Sequence, residues 1–91
     1  MQKNIRKKYL RLKYYREKFG YRQEPFGKFI GISVAQYSKK ENGRQKWGLD
    51  ECEILRDKIN EHLKEAGELP ITLDYLFFAE NVSYTTQRKA S

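Results

Sequence analysis

The sequence predicts an all-α domain, and three stretches carry that expectation. Residues 23–44 read as two short helices about a tight glycine turn, residues 49–66 hold a continuous apolar stripe at helical spacing, and residues 5–19 show a third amphipathic pattern. In the first of these, Phe26, Phe29 and Ile30 share one helical face. Gly31 then ends the helix, because glycine takes the left-handed conformation of a helix C-terminus without penalty. Ile32 plugs the corner, and Ser33 is a suitable N-cap for the next helix, which leaves through Asn42 and Gly43.

Around this stretch, Ile5, Tyr9, Leu12, Tyr15 and Phe19 recur at steps of three and four, with Arg6, Lys7, Lys8, Arg11 and Lys13 between them and Gly20 as the stop. Most of that basic cluster fits the wet side of an amphipathic helix; one or two longer-range contacts to an anion remain open. Leu49, Cys52, Leu55, Ile59, Leu63 and Ala66 form the stripe of the long helix. Asp50, Glu51 and Glu53 suit its positive end, and Gly67 caps its exit.

Composition limits what such a chain does. Ninety-one residues make one domain with a modest core and no room for an enzyme-sized cleft beside it. No apolar run approaches the roughly 18 residues of a membrane span, and no apolar segment follows the basic start, so a soluble chain without membrane contact is expected. A single Cys52 has no internal partner, which fits a reducing cytoplasm. Charge is divided unevenly. Residues 1–48 hold 14 Lys/Arg against 3 Asp/Glu, net +11, while residues 49–91 hold 5 against 9, net −4. Such an excess fits either a solvated basic face or a phosphate-binding surface, and its coincidence with the two-helix stretch favours nucleic acid.

The order of residue types resembles the helix-turn-helix of the Cro/C1 (XRE) family. The similarity rests on Gln23-Glu24 at the start of the first helix, Gly27 where the helices cross, Gly31-Ile32-Ser33 at the turn, Tyr37-Ser38, and Glu41-Asn42-Gly43 at the exit. It implies a lambda-repressor-like five-helix domain over residues 1–78, with residues 71–78 as the closing helix: Thr72 its N-cap, Leu73, Leu76 and Phe77 facing inward. The fourth helix is longer than is usual in the family by roughly ten residues, near three turns. Its extra stripe needs cover from the early turns of the first helix (Ile5, Tyr9) or from a second subunit. Residues 79–91 are polar and aperiodic, and a loose tail is expected there.

The resemblance also implies roles for residues. Arg16 pairs with Glu41 as a structural ion pair fixing the first helix against the third. Ser33, Val34, Ala35, Gln36, Ser38 and Lys39 hold the positions that face the major groove. Gln36 suits adenine N6/N7, Lys39 guanine O6/N7, and the methyls of Val34 and Ala35 a thymine methyl, with Gln36 nearer the margin of that surface. Gln23, Asn42, Arg44 and Lys46 are implied to bind phosphate, although Gln23 also fits a plain first-turn role. Tyr37 is expected to pack, with its hydroxyl directed toward phosphate, and Trp47 to pack on the following helix. Lys40 stands where an apolar side chain is usual, so its stem is expected over the core with the ammonium turned out. Arg22 removes the usual N-cap of the second helix, Pro25 is harmless in its first turn, and Gly27 lowers helix propensity by about 1 kcal/mol. Ile59, Leu63, Phe77 and Phe78 are candidates for a dimer interface.

No metal, cofactor or catalytic site is expected. His62 lacks partners for a metal and is expected at the surface or a subunit interface, and nothing activates Cys52 as a nucleophile. The expectation is a sequence-specific double-stranded DNA-binding regulator, a repressor acting as a homodimer. The alternatives are an antitoxin-type regulator that also binds a toxin, or another protein partner such as an antirepressor, and an adaptor that has lost DNA binding.

Overall fold

The computed structural model describes residues 8–78, so Ile5, the first basic residues and the segment at 79–91 lie outside the described residues. Five helices follow in order: α1 (Leu10–Lys18), α2 (Gln23–Phe29), α3 (Val34–Glu41), α4 (Leu49–Glu65) and α5 (Asp74–Phe78), the last a single π-helical turn. Among the described residues there is no strand.

α1 begins later than the apolar spacing predicts. Tyr9 is its N-cap rather than part of its second turn, because the Tyr9 N–H donates to the Glu41 carbonyl (3.0 Å) and is held outside the helix. Its ring packs on Trp47 and Phe77, at centroid distances of 5.9 and 6.1 Å.

α2 and α3 meet at the predicted turn. Gly31 sits at φ +77°, with the Ile32 N–H on the Gly27 carbonyl (2.9 Å) and the Gly31 N–H on the Lys28 carbonyl (3.1 Å), the paired bonds of a glycine C-cap. Gly27 lets the two helices approach closely. A Cβ there would lie 3.0 Å from the Ile32 carbonyl oxygen and 3.3 Å from the Tyr37 Cβ. As expected, Arg22 gives α2 no side-chain cap.

The C-terminal half of the α4 stripe is covered from within the monomer, by neighbours that the apolar spacing did not point to. His62 stacks on Phe19 (4.9 Å) and lies against Tyr21, while the Asn60 amide both donates to and accepts from the backbone of Ile71 (3.0 and 2.8 Å). The end of α1, the α1–α2 corner and the segment before α5 therefore close over it. Ile59, Leu63 and Phe77 are 1–2% exposed in the core beside Leu12, Phe26, Tyr37 and Leu55, which corrects their assignment to a dimer interface. Of those four candidates only Phe78, 51% exposed, remains accessible. At the two ends of the stripe Leu49 and Ala66 are exposed rather than buried. Thr72 caps the closing turn by accepting the Tyr75 N–H (3.0 Å).

One buried ion pair joins the first three helices. Arg16 donates from Nε to Glu41 Oε2 (2.9 Å) and from its Nη2 to Oε1 (3.0 Å), and its Nη1 bonds the Tyr21 carbonyl (2.9 Å). Gln23 Nε2 (3.0 Å) and the Tyr37 hydroxyl (2.8 Å) complete the Glu41 carboxylate. Replacing Arg16 by methionine strands a buried carboxylate, so Arg16→Met is expected to lose about 3–5 kcal/mol of stability in urea unfolding. A loss below about 1 kcal/mol would show that Glu41 tolerates the site without its partner.

Candidate nucleic-acid interface

α3 divides into two faces by helical spacing. Tyr37, Lys40 and Glu41 are turned into the core, while Ser33, Val34, Ala35, Gln36 and Lys39 are exposed and Ser38 is half-buried. Val34, at 46% exposure, is the large apolar side chain on the outer edge. That edge stands clear of the monomer's interior.

Three of the six candidate base readers are occupied locally. The Gln36 N–H donates to Ser33 Oγ (3.1 Å) while Gln36 Oε1 accepts the Ser33 N–H (3.2 Å), a reciprocal capping box. Bidentate pairing with adenine needs that oxygen, so the box must open before Gln36 reads a base. The Ser-x-x-Gln spacing was the sequence signal for it. Ser38 carries the Asn42 amide, which donates to its carbonyl (3.0 Å) and approaches its hydroxyl (3.4 Å). Val34, Ala35 and Lys39 make no such bond.

At the exit of α3, Gly43 takes φ +80° and the Arg44 N–H bonds the Lys39 carbonyl (2.8 Å). The N–H groups of residues 42–44 are thus satisfied within the helix end, whereas those of Gln45 and Lys46 have no partner among the described residues. Arg44 and Lys46 are exposed and in no ion pair there. With Tyr9, Gly43 and Gln45 they line a cleft of about 290 Å³. Gln23, at the start of α2, shares a separate cleft with Asn42 and has its amide on Glu41.

Lys40 and Tyr37 depart from expectation. The Lys40 ammonium does not turn out to solvent; it donates to the Lys46 carbonyl (2.6 Å) and pairs with Glu51 Oε1 (3.0 Å), which also accepts the Gly48 N–H (2.8 Å). An acid in the first turn of α4 thereby draws the cation inward and pins the loop after α3. The Tyr37 hydroxyl, expected toward phosphate, is buried on Glu41. Burial first, then the charge of that carboxylate, holds its phenol far above the ordinary range. Trp47 packs edge-on against Tyr37 (5.8 Å) and Phe77 (5.2 Å).

The remaining candidate chemistry is structural. His62 is half-buried rather than on an outer surface, with Nε2 2.7 Å from the Tyr21 hydroxyl. No group of metal-ligating side chains occurs among the described residues, and no described helix is long and apolar enough to cross a membrane.

Two helices crossing at a glycine, the second bare along one edge and followed by an exposed cationic loop, define a helix-turn-helix protein built for nucleic acid. A family model for helix-turn-helix domains matches residues 12–65, and the chain belongs to that family in its Cro/C1 type, a DNA-binding regulatory group. No curated protein and no solved structure gave a match.

Cys52 offers a direct check on the core behind this surface. Burial first, then the Glu51 carboxylate, pushes its thiol from 9.0 up to about 11. A raised thiol pKa favours the folded state below pH 9 and ceases to do so as pH rises through about 11. The native protein at pH 8 is therefore expected to resist an aromatic disulfide reagent and to react stoichiometrically in urea. Rapid native labelling would mean that the α3–α4 side of the core opens readily.

Proposed function

We propose that the chain is a sequence-specific regulator of transcription that binds duplex DNA through residues 33–42 and represses by occupying its operator, in a cytoplasm that keeps Cys52 reduced. The observation that carries this reading is the bare Val34, Ala35 and Lys39 edge of α3, with Ser38 half-buried beside it. Lys39, Arg44 and Lys46, on it and just beyond it, are in no ion pair among the described residues, whereas Arg16, Lys18, Lys40, Arg56 and Lys58 are. Free cations beside an exposed helix suit phosphates flanking a groove.

In this reading Lys39 donates to a guanine edge, and Val34 and Ala35 meet a thymine methyl. Arg44, Lys46 and the free N–H groups of Gln45 and Lys46 hold phosphate. Gln23 braces Glu41 and turns its second amide hydrogen toward the backbone, and Asn42 stands beside it. A homodimer is part of the proposal, supported by the exposure of Leu49 and Phe78 beside one groove of about 320 Å³ that also includes Trp47 and Cys52. Two-fold symmetry then sets half-sites about 34 Å apart.

Selection of duplexes from a random pool, followed by binding at several salt concentrations, tests the assignment. Lys39→Ala is expected to relax preference at one base pair and weaken the selected duplex by about 1–3 kcal/mol. Arg44→Ala is expected to weaken all duplexes alike and lower the salt slope by about one. No enrichment after selection would remove sequence-specific binding.

A further inference from the structure

We propose that Lys8, just before α1, and Lys13 on α1 are phosphate-positioning residues, each holding one backbone phosphate at the cleft they share with Gln23 and Asn42. The inference rests on the DNA-binding reading and extends it to a helix outside the two-helix motif. The cleft, of about 250 Å³, brings together the start of α1, the first residue of α2 and the exit of α3.

Its wall is cationic in effect. The carboxylate on it, Glu41, is 4% exposed, and its two oxygens already take four donors, with the Arg16 charge beside it. Lys8 and Lys13 are exposed and enter no ion pair among the described residues. Glu17, one helical turn beyond Lys13, lies 3.8 Å from Arg16 instead. Tyr9 also lines the cleft formed by residues 43–46, so both hollows border on one side chain near the exit of α3. Amides such as Gln23 and Asn42 orient a phosphate oxygen but release no counterion. Lysines do both.

That difference sets the experiment, made with the full chain and a duplex selected as above. Lys8→Gln and Lys13→Gln are each expected to lower the salt slope by about 0.9 and to weaken selected and scrambled duplexes equally, by roughly eightfold near 0.1 M salt. The double variant should lower the slope by about twice as much, while Lys13→Arg keeps the parent value. Lys64→Gln, exposed near the end of α4, is the control and should also keep it. Thermal unfolding at the parent midpoint certifies each variant. Parent slopes in both lysine variants, alongside a lowered slope for Arg44→Gln, would overturn this proposal and leave the DNA reading standing. An equal fall for Lys64→Gln would overturn it too, as a general effect of net charge. A parent protein that binds no duplex removes the DNA reading, and this inference with it.

Discussion

The carboxylate of Glu41 is the fixed point of the fold. It closes α3, and its two oxygens accept from Arg16 on α1, Gln23 on α2 and Tyr37 one turn back, while its carbonyl holds the Tyr9 N–H. Burial alone would lower the Arg16 pKa; the hydrogen bonds and charge of Glu41 outweigh it and raise it above its ordinary value. A buried pair of this kind adds little net stability over an apolar pair of equal volume. Its donors are directional, however, and each comes from a different part of the chain. What it supplies is the orientation of α3 against α1 and α2.

A second buried charge, one residue earlier, secures the other side. Lys40 ties the Lys46 carbonyl and Glu51 together, and Glu51 in turn caps α4 at Gly48. Adjacent residues on one helix thus bond in different directions, toward α1 and α2 and toward α4. With Tyr37, they form an inward set at spacings of three and four. Helical geometry leaves Val34, Ala35, Ser38 and Lys39 on the outside as a consequence. Exposure of that edge is therefore not a loose end of the packing but the complement of two ion pairs. The arrangement has a penalty at Trp47, whose indole N–H is buried without a partner among the described residues, on the order of 1–3 kcal/mol, set against ring contacts with Tyr9, Tyr37 and Phe77.

Where local chemistry decides the structure, the sequence was legible. Gly31, Gly43 and Gly67 all take positive φ at helix exits, and the period of the α4 stripe marked Cys52, Leu55, Ile59 and Leu63 as one face. What covers a stripe is a tertiary question that period alone does not answer, so Phe19, Tyr21 and Ile71 were not foreseen over α4. The start of α1 was misplaced for a similar reason: the carbonyl that captures Tyr9 lies 32 residues along the chain. Lys40 was read as snorkelling because the acid that draws it in belongs to another helix. Gln36 differs, since Ser33 and Gln36 stand at capping-box spacing and the signal lay in the sequence itself.

These local bonds narrow what α3 can read under the proposed function. With Gln36 closed on Ser33 and Ser38 engaged by Asn42, the ungoverned groups on the edge are the apolar side chains of Val34 and Ala35 and the Lys39 ammonium. Methyl contacts and one flexible point charge discriminate less sharply than a bidentate amide or guanidinium. At about 1–3 kcal/mol for each good base contact, so few of them leave much of the affinity to backbone phosphates and to the shape of the duplex. A large positive excess in residues 1–48 is what that balance requires. The same capping bonds that make α3 a stable helix are thus what shifts recognition from its bases toward its backbone.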